Sequence, residues 1–220
     1  MNIQLGNLWI GHDYPCRIIA ECCQNHMGDL ATALEMARQA QACGVDIAKF
    51  QHPAYDDVRR RKYALDIEEH KQIKDYCESI GIEYLCTPFD MQTAEELNEI
   101  GVKGFKIGSR QSWGTLTNEM TKFNKPLIIT FNGCITGDIL LIKDNLEAFG
   151  NPEFEPRPTG FSCHSPTIYP AIAAIALGAK VVEKHVILDK NQVCADQHVS
   201  IDFNQLKELV DAKNEIGKLL

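Results

Sequence analysis

Four times along the chain an amphipathic stretch ends at a glycine, two residues follow, and a short apolar run begins. The repeats are Gly44-Val45-Asp46 before Ile47-Ala48-Lys49-Phe50, Gly81-Ile82-Glu83 before Tyr84-Leu85-Cys86, Gly101-Val102-Lys103 before Gly104-Phe105-Lys106-Ile107, and Gly178-Ala179-Lys180 before Val181-Val182-Glu183. A glycine just past a helix takes the left-handed conformation that turns the chain back into a strand. The stretches themselves have helical spacing. Leu30, Ala33, Leu34, Ala37 and Ala40 share a face behind Asp29 as N-cap, and Ile67, His70, Ile73, Cys77 and Ile80 follow an Asp66–Glu69 capping box. Ile168, Ile172 and Ile175 make a third stripe, and Asp202 with Gln205 opens a last helix bearing Phe203, Leu206, Leu209, Val210 and Ile216. Helices alternating with apolar runs predict βαβ units and a parallel sheet.

The predicted strands are Ile18–Cys22, Ile47–Gln51, Tyr84–Thr87, Phe105–Ser109, Leu127–Phe131, Gly160–Cys163 and Val181–Val186. A further run at Ile139–Ile142 is weaker, because Ile139, Ile142, Leu146 and Phe149 also share one face of a single helix predicted over Gly137–Gly150. No Gly-rich phosphate loop follows the first strand, which disfavours dinucleotide-binding and P-loop folds. The pattern instead predicts a TIM-type (β/α)8 barrel; such barrels average about 250 residues, and this chain has 220.

In such a barrel, chemistry sits at the C-terminal ends of the strands. The polar residues fall there: Glu21, then Lys49 and Gln51, Thr87, Lys106 and Ser109, Asn132, Ser162 with His164, and Glu183 with His185. Residues two apart point to the same face of a strand. Lys49 and Lys106 lie in the middle of apolar strands, where an ammonium is costly unless an anion compensates it; they predict a site for a phosphate or carboxylate ligand, against the alternative of solvated edge residues. His164 and His185 suit a divalent metal, or equally a hydrogen-bonded core pair. His12, His52, His70 and His198 read as surface or helix-face residues. The run Arg59-Arg60-Arg61-Lys62 is a solvated basic patch by default and an anion-attracting lid as the alternative.

Composition narrows the classes. With 45% apolar and 24% charged residues the chain is not disordered. No apolar run of about 18 residues spans a membrane. Met1–Pro15 lacks a leader pattern, so a cytoplasmic protein is expected. The net charge of −8 weighs against nucleic acid as a partner. The nine cysteines include no C-x-x-C pair and read as reduced, mostly buried thiols, with Cys163 beside His164 the one alternative nucleophile.

Six segments then line up with a known family. Ile18-Ile19-Ala20-Glu21 with Asn25-His26-Met27-Gly28-Asp29, Ala48-Lys49-Phe50-Gln51, Thr87-Pro88-Phe89-Asp90, Phe105-Lys106-Ile107-Gly108-Ser109, Gly160-Phe161-Ser162-Cys163-His164, and Glu183-Lys184-His185 through Leu188-Asp189-Lys190 occur in order. Together they resemble the N-acetylneuraminate (sialic acid) synthase family. The resemblance implies an enzyme that condenses phosphoenolpyruvate with an open-chain N-acyl hexosamine, giving a nonulosonic acid and phosphate. It implies that Lys49, Lys106, Ser109 and Ser162 bind phosphoenolpyruvate, and that His164 and His185 hold Mn²⁺ or a similar ion. Glu21, Gln51 and Asp196 would face the sugar or the attacking water. A homodimer is the assembly it implies, although the C-terminal antifreeze-like domain that reaches a partner's active site is expected to be missing here.

The departures are specific. Arg110-Gln111 stands where the family has Gly and then an acid, and Cys194-Ala195-Asp196 replaces Gly-Pro-Asp. The family's His-Cys-x-x-x-Tyr-Pro strand is not found, so a single domain over 1–220 is expected, shortened or incomplete around strand 6 by a deletion between about 133 and 159. Two alternatives follow: a non-catalytic barrel that binds an anionic metabolite, and a phosphoenolpyruvate-dependent synthase that uses Arg59–Lys62 for a sugar phosphate.

Overall fold

A computed structural model of the chain describes residues 2–108, 115–130, 139–143 and 159–219, the side chains of 139–143 excepted. Strands β3 (Arg17–Cys23), β4 (Ile47–His52), β5 (Glu83–Pro88), β6 (Phe105–Ile107), β7 (Leu127–Thr130), β8 (Ile139–Lys143), β9 (Gly160–Cys163) and β10 (Val181–His185) close into a parallel barrel, β10 pairing with both β9 and β3. The expected TIM-type architecture is present.

The barrel is not incomplete at its sixth strand. Ile139–Lys143 is strand β8, in register with β7 from Leu127↔Ile139 to Thr130↔Ile142, and with β9 at Ile142↔Gly160 and Lys143↔Phe161. The helix predicted over Gly137–Gly150 is overturned at these residues; Leu146 and Phe149 lie outside the described residues. The reason is local. Without β8, the facing edges of β7 and β9 would bury unpaired N–H and C=O groups. A short apolar run satisfies either period, and the vacant edges decide it.

The helices α1 (Leu30–Ala42), α2 (Val58–Arg61), α3 (Ile67–Ile80), α4 (Met91–Glu99), α5 (Thr115–Met120), α6 (Tyr169–Ala176) and α7 (Phe203–Gly217) stand outside the strands. Asp29 caps α1 through the Thr32 N–H, and reciprocal capping boxes open α3 at Asp66–Glu69 and α7 at Asp202–Gln205. The helix–strand turns have the predicted left-handed glycines, with φ of 83° at Gly44, 77° at Gly81, 82° at Gly101 and 97° at Gly178. His52 and His70 depart from their surface reading: both are fully buried, their rings 4.8 Å apart between the strands and the helices. His52 Nε2 meets Glu96 Oε2 at 2.8 Å and His70 Nδ1 meets the Tyr84 hydroxyl at 2.8 Å, so both are structural.

The pleat sorts the strand residues. Ile18, Ala20, Cys22, Ala48, Phe50, Tyr84 and Cys86 face outward into one core with the helices. Ile19, Ile47, Leu85, Ile128 and Val181 face inward and form a second cluster with Ile3, Leu5 and Ile10. These last three come from an unforeseen hairpin, β1 (Asn2–Leu5) and β2 (Leu8–Gly11), which closes the N-terminal end of the barrel. Its turn is Gly6-Asn7, with Gly6 at φ 57°, a two-residue connection suited to a hairpin.

Candidate active site

One position further along each inward-facing row, the barrel becomes polar. Glu21, Lys49, Thr87, Lys106, Ser162 and Glu183 line a cavity of about 970 Å³ at the C-terminal end of the strands. The four charged side chains are 1–3% exposed. Glu183 Oε2 lies 3.5 Å from both Lys49 Nζ and Lys106 Nζ, and Glu183 Oε1 accepts a hydrogen bond from Ser162 Oγ at 2.8 Å. Lys49 also pairs with Glu21 Oε2 and reaches Thr87 Oγ1 at 3.3 Å, while Lys106 Nζ donates to Thr130 Oγ1 at 2.7 Å. The anion that compensates each buried lysine is therefore supplied first by the protein.

The carboxylates differ in protonation. Burial pushes Glu21 up to about 7, only partly offset by Lys49. Burial acts on Glu183 too, but Lys106 and Lys49 outweigh it and hold its carboxyl well below the usual range. Burial lowers Lys49, yet Glu183 and Glu21 outweigh this and keep it firmly protonated. The site thus pairs a carboxylate that two lysines hold ionised with one whose affinity for a proton is raised by burial.

A second group lies beside the charged one. His164 and His185 border the cavity with ring centroids 5.1 Å apart. Burial pushes His185 down to about 3, against the pull of Asp196 and Glu183, so its imidazole is neutral. Among the described residues its Nδ1 is buried without a hydrogen-bond partner, 3.9 Å from Asp196 Oδ2. Cys23, turned left-handed at φ 50°, donates its thiol to the other side of that contact, Asp196 Oδ2. A neutral imidazole with an orphaned nitrogen beside a carboxylate fits a divalent cation. Supporting bonds fix these groups. Asn25 Nδ2 donates to Val186 O and Ser200 Oγ, and Ser200 Oγ donates to Asp196 O at 2.6 Å. Lys184, outward between Glu183 and His185, donates to Cys163 O, Ser165 O and Val199 O, tying the loop after β9 to the turn after Asp196.

The rim is formed by Asp57, Arg59, Arg60, Tyr63 and Phe89. Arg60 pairs with Asp57 and stacks over Phe89, 4.7 Å from the ring centroid. The cavity therefore gathers Glu21, Gln51, Asp196, Lys49, Lys106, Ser162, His164 and His185; Ser109 lies outside the described residues. Sequence reasoning did not assign roles to Cys23, Thr87 or Thr130, nor to Glu183 as the carboxylate on which both lysines converge.

Comparison with known proteins sets the chain among its relatives. Residues 55–142 and 141–220 match the NeuB family. The chain belongs to the NeuB family. Human N-acetylneuraminate-9-phosphate synthase is 30% identical over 96% of this chain and 73% of that protein. The N,N'-diacetyllegionaminic acid synthase of Campylobacter jejuni is 30% identical over 92% of this chain and 77% of its own length. The crystal structure of a sialic acid synthetase from Leptospira borgpetersenii, in complex with citrate, superposes with a TM-score of 0.90 at 25% identity, covering 100% of this chain and 90% of that one. The described residues form a barrel of the same fold as that sialic acid synthetase. Among the described residues, no helix is long and apolar enough to cross a membrane.

Proposed function

We propose that this NeuB-family chain condenses phosphoenolpyruvate with an N-acyl hexosamine to give a sialic-type nonulosonic acid and phosphate. The observation that carries the reading is the convergence of Lys49 and Lys106 on one cavity that His164, His185 and Asp196 also border. Two ammonium groups held by a shared carboxylate suit a small dianion or trianion, which gains a charge-assisted bond from each. Lys49, Lys106 and Ser162 hold the phosphate and carboxylate of phosphoenolpyruvate, with Ser109 assigned to the same ligand. His164 and His185 are the residues that would hold a divalent ion, Mn²⁺ by the family resemblance. The chemistry such an ion supplies is Lewis-acid polarisation of an aldehyde oxygen.

The remaining work falls to side chains. The enol C=C pair forms the new bond to the aldehyde carbon while the aldehyde oxygen keeps the C=O π pair and takes up a proton; water adds to the carbon bearing the phosphate ester and gives up one proton, and phosphate leaves with that C–O bond's electron pair and the remaining hydroxyl proton, leaving the ketone. Glu21 holds the proton released by the water, a role supported by the raised affinity for protons that burial gives it. Gln51 and Asp196 orient the sugar and the water at the cavity mouth. Glu183, ionised and fixed by Ser162, keeps both lysines charged for the incoming anion.

The test is phosphate release from phosphoenolpyruvate with N-acetylmannosamine and a divalent ion. Stoichiometric release is expected; ligand-induced thermal stabilisation without release from any hexosamine would instead identify a non-catalytic binding barrel. A second reading, a phosphorylated acceptor, is favoured by Arg59 and Arg60 on the rim. Comparing the free and 6-phosphorylated sugars separates the two.

A further inference from the structure

Cys23, His185 and Asp196 form the only group among the described residues in which three such side chains bring ligand atoms within 4.8 Å of one another. Cys23 is 3% and His185 5% exposed. They come from the end of β3, the end of β10 and the loop beyond it, three separate pieces of chain. Nothing in local turn geometry requires them to meet. The Cys23 thiol donates to Asp196 Oδ2, and His185 Nδ1 faces the same carboxylate oxygen with no hydrogen-bond partner among the described residues. A single proton thus sits where three potential ligand atoms converge, and one of the three is orphaned. Such an arrangement is short of one cation, since a buried imidazole nitrogen without a partner is a standing penalty that a metal bond removes.

We propose that Cys23 is a thiolate ligand of the metal centre, completing with Asp196 and His185 a mixed sulfur, oxygen and nitrogen site bordered by His164. The inference rests on the metal-centre part of the proposed function and not on the identity of the acceptor sugar. Loading is an exchange: the Cys23 S–H bond breaks, sulfur keeps the electron pair and donates it to the cation, and the proton leaves to buffer. Asp196 trades the thiol hydrogen bond for a bond to the ion, and His185 Nδ1 gains its missing partner. A thiolate shifts preference toward Zn²⁺, Fe²⁺ or Co²⁺ and away from the hard ions Mn²⁺ and Mg²⁺. Asp196 then acts at the ion rather than on the sugar alone.

The experiment is a titration of the metal-stripped full chain with Co²⁺ under reducing, oxygen-free conditions. A sulfur-to-cobalt charge-transfer band in the near ultraviolet is expected, with release of one proton per ion bound. The band should vanish in Cys23→Gly, with Co²⁺ affinity falling roughly tenfold or more and Mn²⁺ affinity falling less. Glycine suits the left-handed backbone at this position, so loss of the band with an unchanged circular dichroism spectrum cannot reflect misfolding. Cys194→Ser, which alters the neighbouring thiol bonded to Asn25, should keep the band. Co²⁺ binding without a charge-transfer band, or a band lost in Cys194→Ser but kept in Cys23→Gly, overturns the assignment of Cys23 while leaving a histidine-held metal intact. No Co²⁺ binding at all overturns both.

Discussion

Ile19 and Glu21, Ile47 and Lys49, Leu85 and Thr87, and Val181 and Glu183 are neighbours on one face of the same strands, yet they belong to different regions. The first of each pair joins the apolar floor sealed by the N-terminal hairpin, and the second joins the charged layer open to the cavity. The floor stabilises through area removed from water and close packing. The charged layer holds two ammonium and two carboxyl groups, each 1–3% exposed, whose mutual attraction is offset by the loss of hydration. Their net contribution to stability is therefore small, although removing any one of them is severe. The difference teaches that the floor is a folding element, whereas the charged layer, on the proposed reading, is there for what it binds.

Breaking the charged layer by one member should have the largest effect. Glu183→Ala leaves Lys49 and Lys106 buried without their shared carboxylate and should lower unfolding free energy by about 3–5 kcal/mol in urea denaturation. Breaking the floor comes next: Leu85→Ala should cost about 2–5 kcal/mol by leaving a cavity, while the affinity for phosphoenolpyruvate in calorimetry stays unchanged. Acid separates the two. Glu183 is held below its ordinary 4.5 by Lys106 and Lys49 against the opposing effect of burial, so its contribution is present above that pH and is lost as pH falls through the folded value. The stability gap between wild type and Glu183→Ala should narrow below pH 4.5; the gap for Leu85→Ala should not.

Ser162→Ala removes one hydrogen bond to an ionised carboxylate and should cost about 1.5–3 kcal/mol, with weaker ligand binding as its second readout. The smallest stability effect belongs to the most drastic change. Replacing the whole set, Glu21→Leu, Lys49→Met, Lys106→Met and Glu183→Leu, should leave stability within about 1 kcal/mol of wild type or raise it, while anion binding disappears. A large loss there would make the charged layer structural after all.

Much of this contrast was legible in the sequence. The left-handed glycines, the caps at Asp29, Asp66 and Asp202, and the alternation along Lys49–Gln51 and Glu183–His185 are local signals, and local chemistry decided them. The β8 strand was not, because Ile139-Leu140-Leu141-Ile142-Lys143 satisfies two periods and only the vacant edges of β7 and β9 choose between them. The hairpin was overlooked although Gly6-Asn7 between Ile3, Leu5, Leu8 and Ile10 is a recognisable turn signal. Glu183 as a hub was out of reach: alternation tells which face a side chain takes, but not which residues meet across the interior of a closed barrel. Cys23 was hidden among nine cysteines for the same reason, since its partners lie at Asp196 and His185.

The sealed floor also sets a direction of approach. A barrel plugged by Ile3, Leu5 and Ile10 at one end is a blind-ended vessel. On the proposed reading, the ligand that docks against Lys49 and Lys106 and the one that settles near Arg59 and Arg60 share one approach, from the side of the barrel away from this floor. The hairpin, at the opposite end of the barrel from the cavity, thereby turns the site to face one way.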